Sequence, residues 1–227
     1  MAFTLIELLV VISIIAVLAA LILPVAGAVK RQAFLHAAQG EMSQIETAID
    51  RYKSAYGFYP PSSANGPLIN QLYYELEGTT NTAAPTATPD YQPLGDPNQQ
   101  LSGGPGGQVN QIFNVVGFMN CNKPNADESA PRAQNFLPNL KPSQFVENIT
   151  NARAPNVPFT LLVASAGGPD PGYQPLGLLD VNPWRYNSSN PTNNPGSYDL
   201  WVQLRIAGKT NLICNWTRQV QINNPLP

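Results

Sequence analysis

The chain has 227 residues, 12 Lys and Arg against 14 Asp and Glu, a net charge of −2 and a single His. That length fits one domain, or one domain with an accessory element. Charged residues make up only 11% of it, against about 25% in ordinary soluble domains, and 23 Pro with 17 Gly predict a loop-rich body. The net acidity gives no basic surface of the kind nucleic acid requires. One His and two Cys, with no CxxC, HxH or HExxH spacing, leave too few ligands for a zinc centre.

The N-terminal segment 3–29 reads FTLIELLVVISIIAVLAALILPVAGAV, and Leu8–Val29 is a run of 22 residues without a charge. About 20 apolar residues span a bilayer core. A secretory signal peptide would carry a basic n-region and an apolar core of about 7–15 residues, and nothing basic precedes this longer run. A plain membrane anchor accounts for the length but not for Glu7. A carboxylate in an apolar span is costly and needs a partner, yet no Lys, Arg or His occurs in 1–29. A cut before Phe3 would create one, the α-amine of Phe3. It would lie four residues from Glu7 on one helix face, in the same chain or a neighbouring one.

The run AFTLIELLVVISIIAVLAALILP resembles the prepilin N-terminus shared by type IV pilins and type II secretion pseudopilins. The resemblance implies that a prepilin peptidase cuts between Ala2 and Phe3 and N-methylates Phe3. It implies that Glu7 pairs with the terminal amine of an adjacent subunit, and that Pro24 marks where the helix bends. Met1-Ala2 is then a residual leader. It departs from the family in having Ala rather than Gly before the cut and in lacking Lys or Arg. The nearest basic pair, Lys30-Arg31, follows the span, so the positive-inside rule gives no help with orientation.

Beyond Val29 the apolar period continues. Phe34, Ala38, Met42, Ile45, Ile49, Tyr52 and Tyr56 recur at spacings of three and four, the template of an amphipathic helix. Gly57 then supplies a C-cap, and Pro60-Pro61 forbid continuation. A helix from Phe3 to Tyr56 would measure about 80 Å. Its first half, 3–29, is apolar all round and serves as transmembrane or filament-core segment. Its second half, 30–57, packs by one stripe on a globular domain spanning 58–227. Small residues Ala16, Ala19, Ala20, Ala26, Gly27 and Ala28 permit close helix approach. His36 reads as a surface residue.

In the body, a short helix is expected at Pro67–Leu76, ended by Gly78, and an extended loop over 79–110. Strands are expected at Gln111–Met119, Val157–Ala164 and Tyr198–Ile206, the last forming a hairpin with Leu212–Thr217. The pentapeptide YQPLG occurs twice, at Tyr91–Gly95 and Tyr173–Gly177, as coincidence or a local turn. Packing of a sheet on the helix stripe gives the expected fold class, α+β. This is a pilin-like lollipop in which a long N-terminal helix packs on a small antiparallel β-sheet with long loops. YKSAYGFYPP, DVNPWRY and NNPGSYDLWVQL resemble, more weakly, the major pseudopilin of type II secretion. Many members of that family hold calcium in an acidic loop near the C-terminus. No carboxylate follows Asp199 here, and calcium takes six to eight oxygens, typically several from carboxylates, so no metal or other cofactor is assigned. Cys121 and Cys214 are candidates for one disulfide, with two free buried thiols as the alternative. The triplets at Asn148, Asn187 and Asn215 match the glycosylation pattern and are given no role.

These readings imply a non-catalytic structural subunit of a type II secretion pseudopilus or type IV pilus-like filament, a helical homo-oligomer supporting protein secretion. Implied partners are the membrane, prepilin peptidase, other pseudopilins, an assembly platform and a separate ATPase, since the chain has no P-loop. The implied location is a bacterial inner membrane, single-pass, with the body extracytoplasmic. The alternative is a membrane-anchored minor pilin or binding module that recognises a cargo or surface ligand through its loops. An enzyme is disfavoured: Asp170, Asp180 and Asp199 exist without GxSxG, a Cys/His set or metal spacing.

Overall fold

A computed structural model describes residues 4–84, 87–124, 132–166 and 170–223, with the backbone alone at 21–26. Helix α1 runs Leu5–Tyr56, 52 residues, about 78 Å. It begins on Thr4, in extended conformation, and ends on Gly57, whose φ of 85° is left-handed and whose N–H donates to the Lys53 carbonyl. Only a residue without Cβ adopts that cap freely. From Leu35 onward one face of α1 is interior: Leu35, Ala38, Ile45, Ala48, Ile49 and Tyr52 are buried, a three-and-four spacing.

Among the described residues, the body that covers this face has ten strands in three sheets. The first sheet joins β1 (Thr79–Asn81), β2 (Asp90–Pro93), β3 (Leu101–Ser102) and β4 (Cys121–Asn122) in the order β3-β2-β1-β4. Its β1–β4 pairing is parallel. The second is a ribbon of β5 (Phe145–Asn151) and β6 (Ala154–Leu162). The third is antiparallel, built from β7 (Arg185–Asn187), β8 (Asp199–Ile206), β9 (Lys209–Cys214) and β10 (Thr217–Ile222) in the order β10-β9-β8-β7. α1 packs on β8, β9 and the short helix α2 (Leu72–Glu77). The β8–β9 turn is Ala207-Gly208, both at positive φ, 52° and 73°, as a two-residue type I′ hairpin demands.

These findings correct the expected architecture. The described body is not one small antiparallel sheet but a β-rich assembly of three sheets, one containing a parallel pair, with short helices set among them. Segment 79–110, expected as a loop, supplies β1, β2 and β3. These strands are two to four residues long, too short for hydrophobic alternation to register. The strand expected over 111–119 is overturned as well. Helix α3 (Gln108–Phe113) occupies its start, burying Val109, Ile112 and Phe113 at the three-and-four spacing of a helix face. The two YQPLG copies differ in conformation: Tyr91–Pro93 lies in β2, and 173–177 forms turns.

Candidate functional site

The N-terminal half of α1 is the most exposed apolar surface described in the chain. Leu5 is 82% exposed and Ile6 70%, and Leu8, Leu9, Val10, Val11, Ile12, Ile14, Ile15, Val17 and Leu18 are each about half exposed or more. They point in all directions around the helix, so no intrachain packing covers any one face. Soluble monomers seldom expose contiguous apolar patches of this kind without a binding role.

The helix start is held by a reciprocal cap. Thr4 N–H donates to Glu7 Oε2 at 2.9 Å and Thr4 Oγ1–H donates to the same oxygen at 2.7 Å, while Glu7 N–H donates to Thr4 Oγ1 at 3.4 Å. The N–H of Thr4, then its hydroxyl, hold the Glu7 carboxyl below the usual carboxylate range. The sequence carries the signal for this capping box as Thr4-x-x-Glu7: the hydroxyl three residues before Glu7, rather than a cation, is its partner within the chain. The processing positions Ala2 and Phe3 lie outside the described residues, and so does the side chain of Pro24.

Among the described residues no helix is long and apolar enough to cross a membrane. This finding overturns the expected single-pass placement in a bacterial inner membrane.

The expected disulfide is also corrected. Cys121 and Cys214 are both buried free thiols. Cys121 belongs to the main core through β4, whereas Cys214 packs with Trp201, Leu212 and Trp216 in a separate cluster on the third sheet. Burial raises the pKa of each thiol, which makes them inert small hydrophobes.

The acidic residues are engaged singly. Asp170 faces Arg205 at 3.7 Å and accepts from the N–H groups of Ala207 and Gly208. Asp199 is buried and gathers a loop: Oδ2 accepts from the backbone N–H of Thr192 and Asn193 and from Asn193 Nδ2, and Oδ1 accepts from Asn194 N–H. Asp180 sits at a left-handed φ of 58°. Among the described residues no group of three or more His, Cys, Asp or Glu is placed to hold a metal ion. His36 is exposed, its Nε2 2.9 Å from Gln32 Nε2.

A buried polar cluster that no sequence spacing announced ties the body to α1. The Glu75 carboxylate accepts Tyr52 Oη–H at 3.0 Å and the N–H groups of Met119 and Asn120. Asn120 in turn donates to the carbonyls of Glu75 and Gln134 and accepts from Tyr56 Oη–H. Burial raises the Glu75 pKa against the pull of these donors. Glu41 is likewise raised by burial, and it accepts Ser165 N–H at the other end of the buried face. Both groups lie between α1 and the body and act as joints.

Comparison with known proteins gives no relative: no family model matches the chain, and neither curated proteins nor solved structures include a match.

Proposed function

We propose that this chain is a non-catalytic structural subunit that polymerises with copies of itself through the first half of α1, as in the filaments of type II secretion or type IV pili. The observation that carries this reading is the all-round exposure of the apolar side chains from Leu5 to Leu18. A helix apolar on every side requires a multi-helix environment, and copies of the same helix supply one. The prepilin-like run around Phe3, Glu7 and Pro24 supports the same reading. So does the weaker likeness of 180–186 and 193–204 to the major pseudopilin, which favours a pseudopilus serving protein secretion.

The test is the mass of the N-terminal peptide from protein purified from its native source. A chain beginning at N-methylated Phe3 is the expected result. A chain beginning at Met1 or Ala2 overturns the processing step and, with it, the assignment to this kind of filament.

A further inference from the structure

The face of the third sheet turned away from the main core carries a second feature. Register places Arg185 of β7 opposite Trp201 of β8, and Trp201 opposite Cys214 of β9. The three side chains therefore form one cross-strand row, with neighbouring Cβ atoms about 5 Å apart. Alternation sends this row away from the face bearing Leu200, Val202 and Ile213, which join the main core. Trp216 closes one side, its ring 5.8 Å from that of Trp201 and tilted by 68°.

Arg185 is 9% exposed and Trp201 5%. Arg185 Nη1 and Trp201 Nε1 are both buried donors without a hydrogen-bond partner. A buried unsatisfied donor is destabilising, and a buried guanidinium without an anion much more so. The face does carry carboxylates, but they are spent elsewhere. Asp199, two residues before Trp201, has both oxygens filled by the amides of 192–194. Asp170 is committed to Arg205 and the 207–208 turn. Neither of these two carboxylates pairs with Arg185.

Two unpartnered donors borne by register neighbours on β7 and β8, one charged and planar and one neutral, remain on this antiparallel sheet. We infer that Arg185 and the indole N–H of Trp201 form a binding site for a carboxylate group. The guanidinium fork matches the two oxygens of a carboxylate, and the indole N–H supplies a further donor from the next strand. The carboxylate comes from a small organic acid or from an acidic side chain of a second copy of this chain.

The test uses the full chain in a mild non-ionic detergent, titrated with sodium acetate against sodium chloride at matched ionic strength. Tryptophan fluorescence and the melting temperature are the readouts. The wild type is expected to give a saturable fluorescence change and a rise in melting temperature specific to acetate. Arg185→Met removes the buried charge without opening a cavity; it is expected to abolish both responses while melting no lower than wild type without acetate. Trp201→Phe keeps the ring and loses the donor; acetate is expected to bind about tenfold more weakly, read by melting temperature. Sedimentation separates the two sources. Acetate that dissociates wild-type oligomers, but not those of Arg185→Met, assigns the carboxylate to a second copy, and unchanged sedimentation with a saturable response assigns it to a small acid. An acetate response retained in Arg185→Met, or no acetate-specific response in the wild type, overturns the site.

Discussion

If the first half of α1 is an assembly surface, its energetics follow from exposure. Ile12 and Ile15 are three residues apart, on one face, and are 56% and 58% exposed. Fully burying an isoleucine contributes about 1.5–3 kcal/mol, so burying the remaining half of each against a neighbouring helix contributes about 1–1.5 kcal/mol. The double substitution Ile12→Ser with Ile15→Ser then weakens each subunit addition by about 2–3 kcal/mol, since the serines gain little from the same contact. At about 1.4 kcal/mol per decade, the critical concentration for polymerisation rises about 30- to 140-fold. Pelleting of the full chain over a concentration series measures it. The body should not notice, because exposed sites away from the core move stability by about 0.5 kcal/mol at most, and thermal unfolding provides that control. A critical concentration within about threefold of wild type, with the body intact, would refute the assembly surface.

Three further outcomes concern the body. Burial raises Glu41, Glu75 and Glu77, and burial with the nearby Asp50 charge raises Glu46. An acid whose folded pKa lies above its unfolded value stabilises the fold when protonated, and that contribution is lost as pH rises through the folded pKa. The melting temperature should therefore rise as pH falls from neutrality toward the ordinary glutamate range, and a fall over that interval contradicts the assignment. Tyr52→Phe removes the hydroxyl that Glu75 accepts and should reduce stability by about 2 kcal/mol in urea unfolding. Asp199→Ala strands the amides of Thr192, Asn193 and Asn194. It should destabilise the body by about 3 kcal/mol and raise amide hydrogen exchange at those three residues above that at β9.

What the sequence disclosed depends on how locally each feature is determined. The end of α1 at Tyr56 was legible because Gly57 and Pro60 act within one turn. The short helix before Gly78 and the hairpin following β8 were legible for the same reason, although α2 starts five residues later than its apolar pattern suggested. The run 111–119 misled because Ile112, Phe113, Val115 and Val116 suit a strand as well as a helix. The outcome rests on Val109, one turn earlier, which completes the helical face of α3. The joints were illegible for a different reason. Glu75 lies 23 residues from Tyr52 and 45 from Asn120, so no periodicity connects them. Arg185 and Trp201 become neighbours only through the register of β7 and β8.

The Thr4–Glu7 cap gives the proposed assembly its sharpest test, because Glu7 serves two roles that one substitution separates. All the described bonds to its carboxylate go to Oε2; in the proposed assembly Oε1 would meet a cation of a neighbouring copy. Glu7→Gln keeps an oxygen acceptor for the Thr4 N–H and hydroxyl and removes the charge. Thr4→Val keeps the charge and removes the hydroxyl half of the cap, at about 1 kcal/mol of helix-start stability. If Glu7 only caps, Thr4→Val impairs assembly at least as much as Glu7→Gln, and first-turn amide exchange rises in step with the loss. If its charge is answered by another subunit, Glu7→Gln raises the critical concentration by at least about tenfold, the weight of 1.4 kcal/mol, while exchange at the Glu7 amide stays slow. A carboxylate facing a cation among apolar helices is screened far less by salt than an exposed pair, so the Glu7→Gln deficit should persist at high ionic strength. A Glu7→Gln deficit that disappears at high ionic strength would place Glu7 at the solvent-exposed rim of the contact, not between the helices.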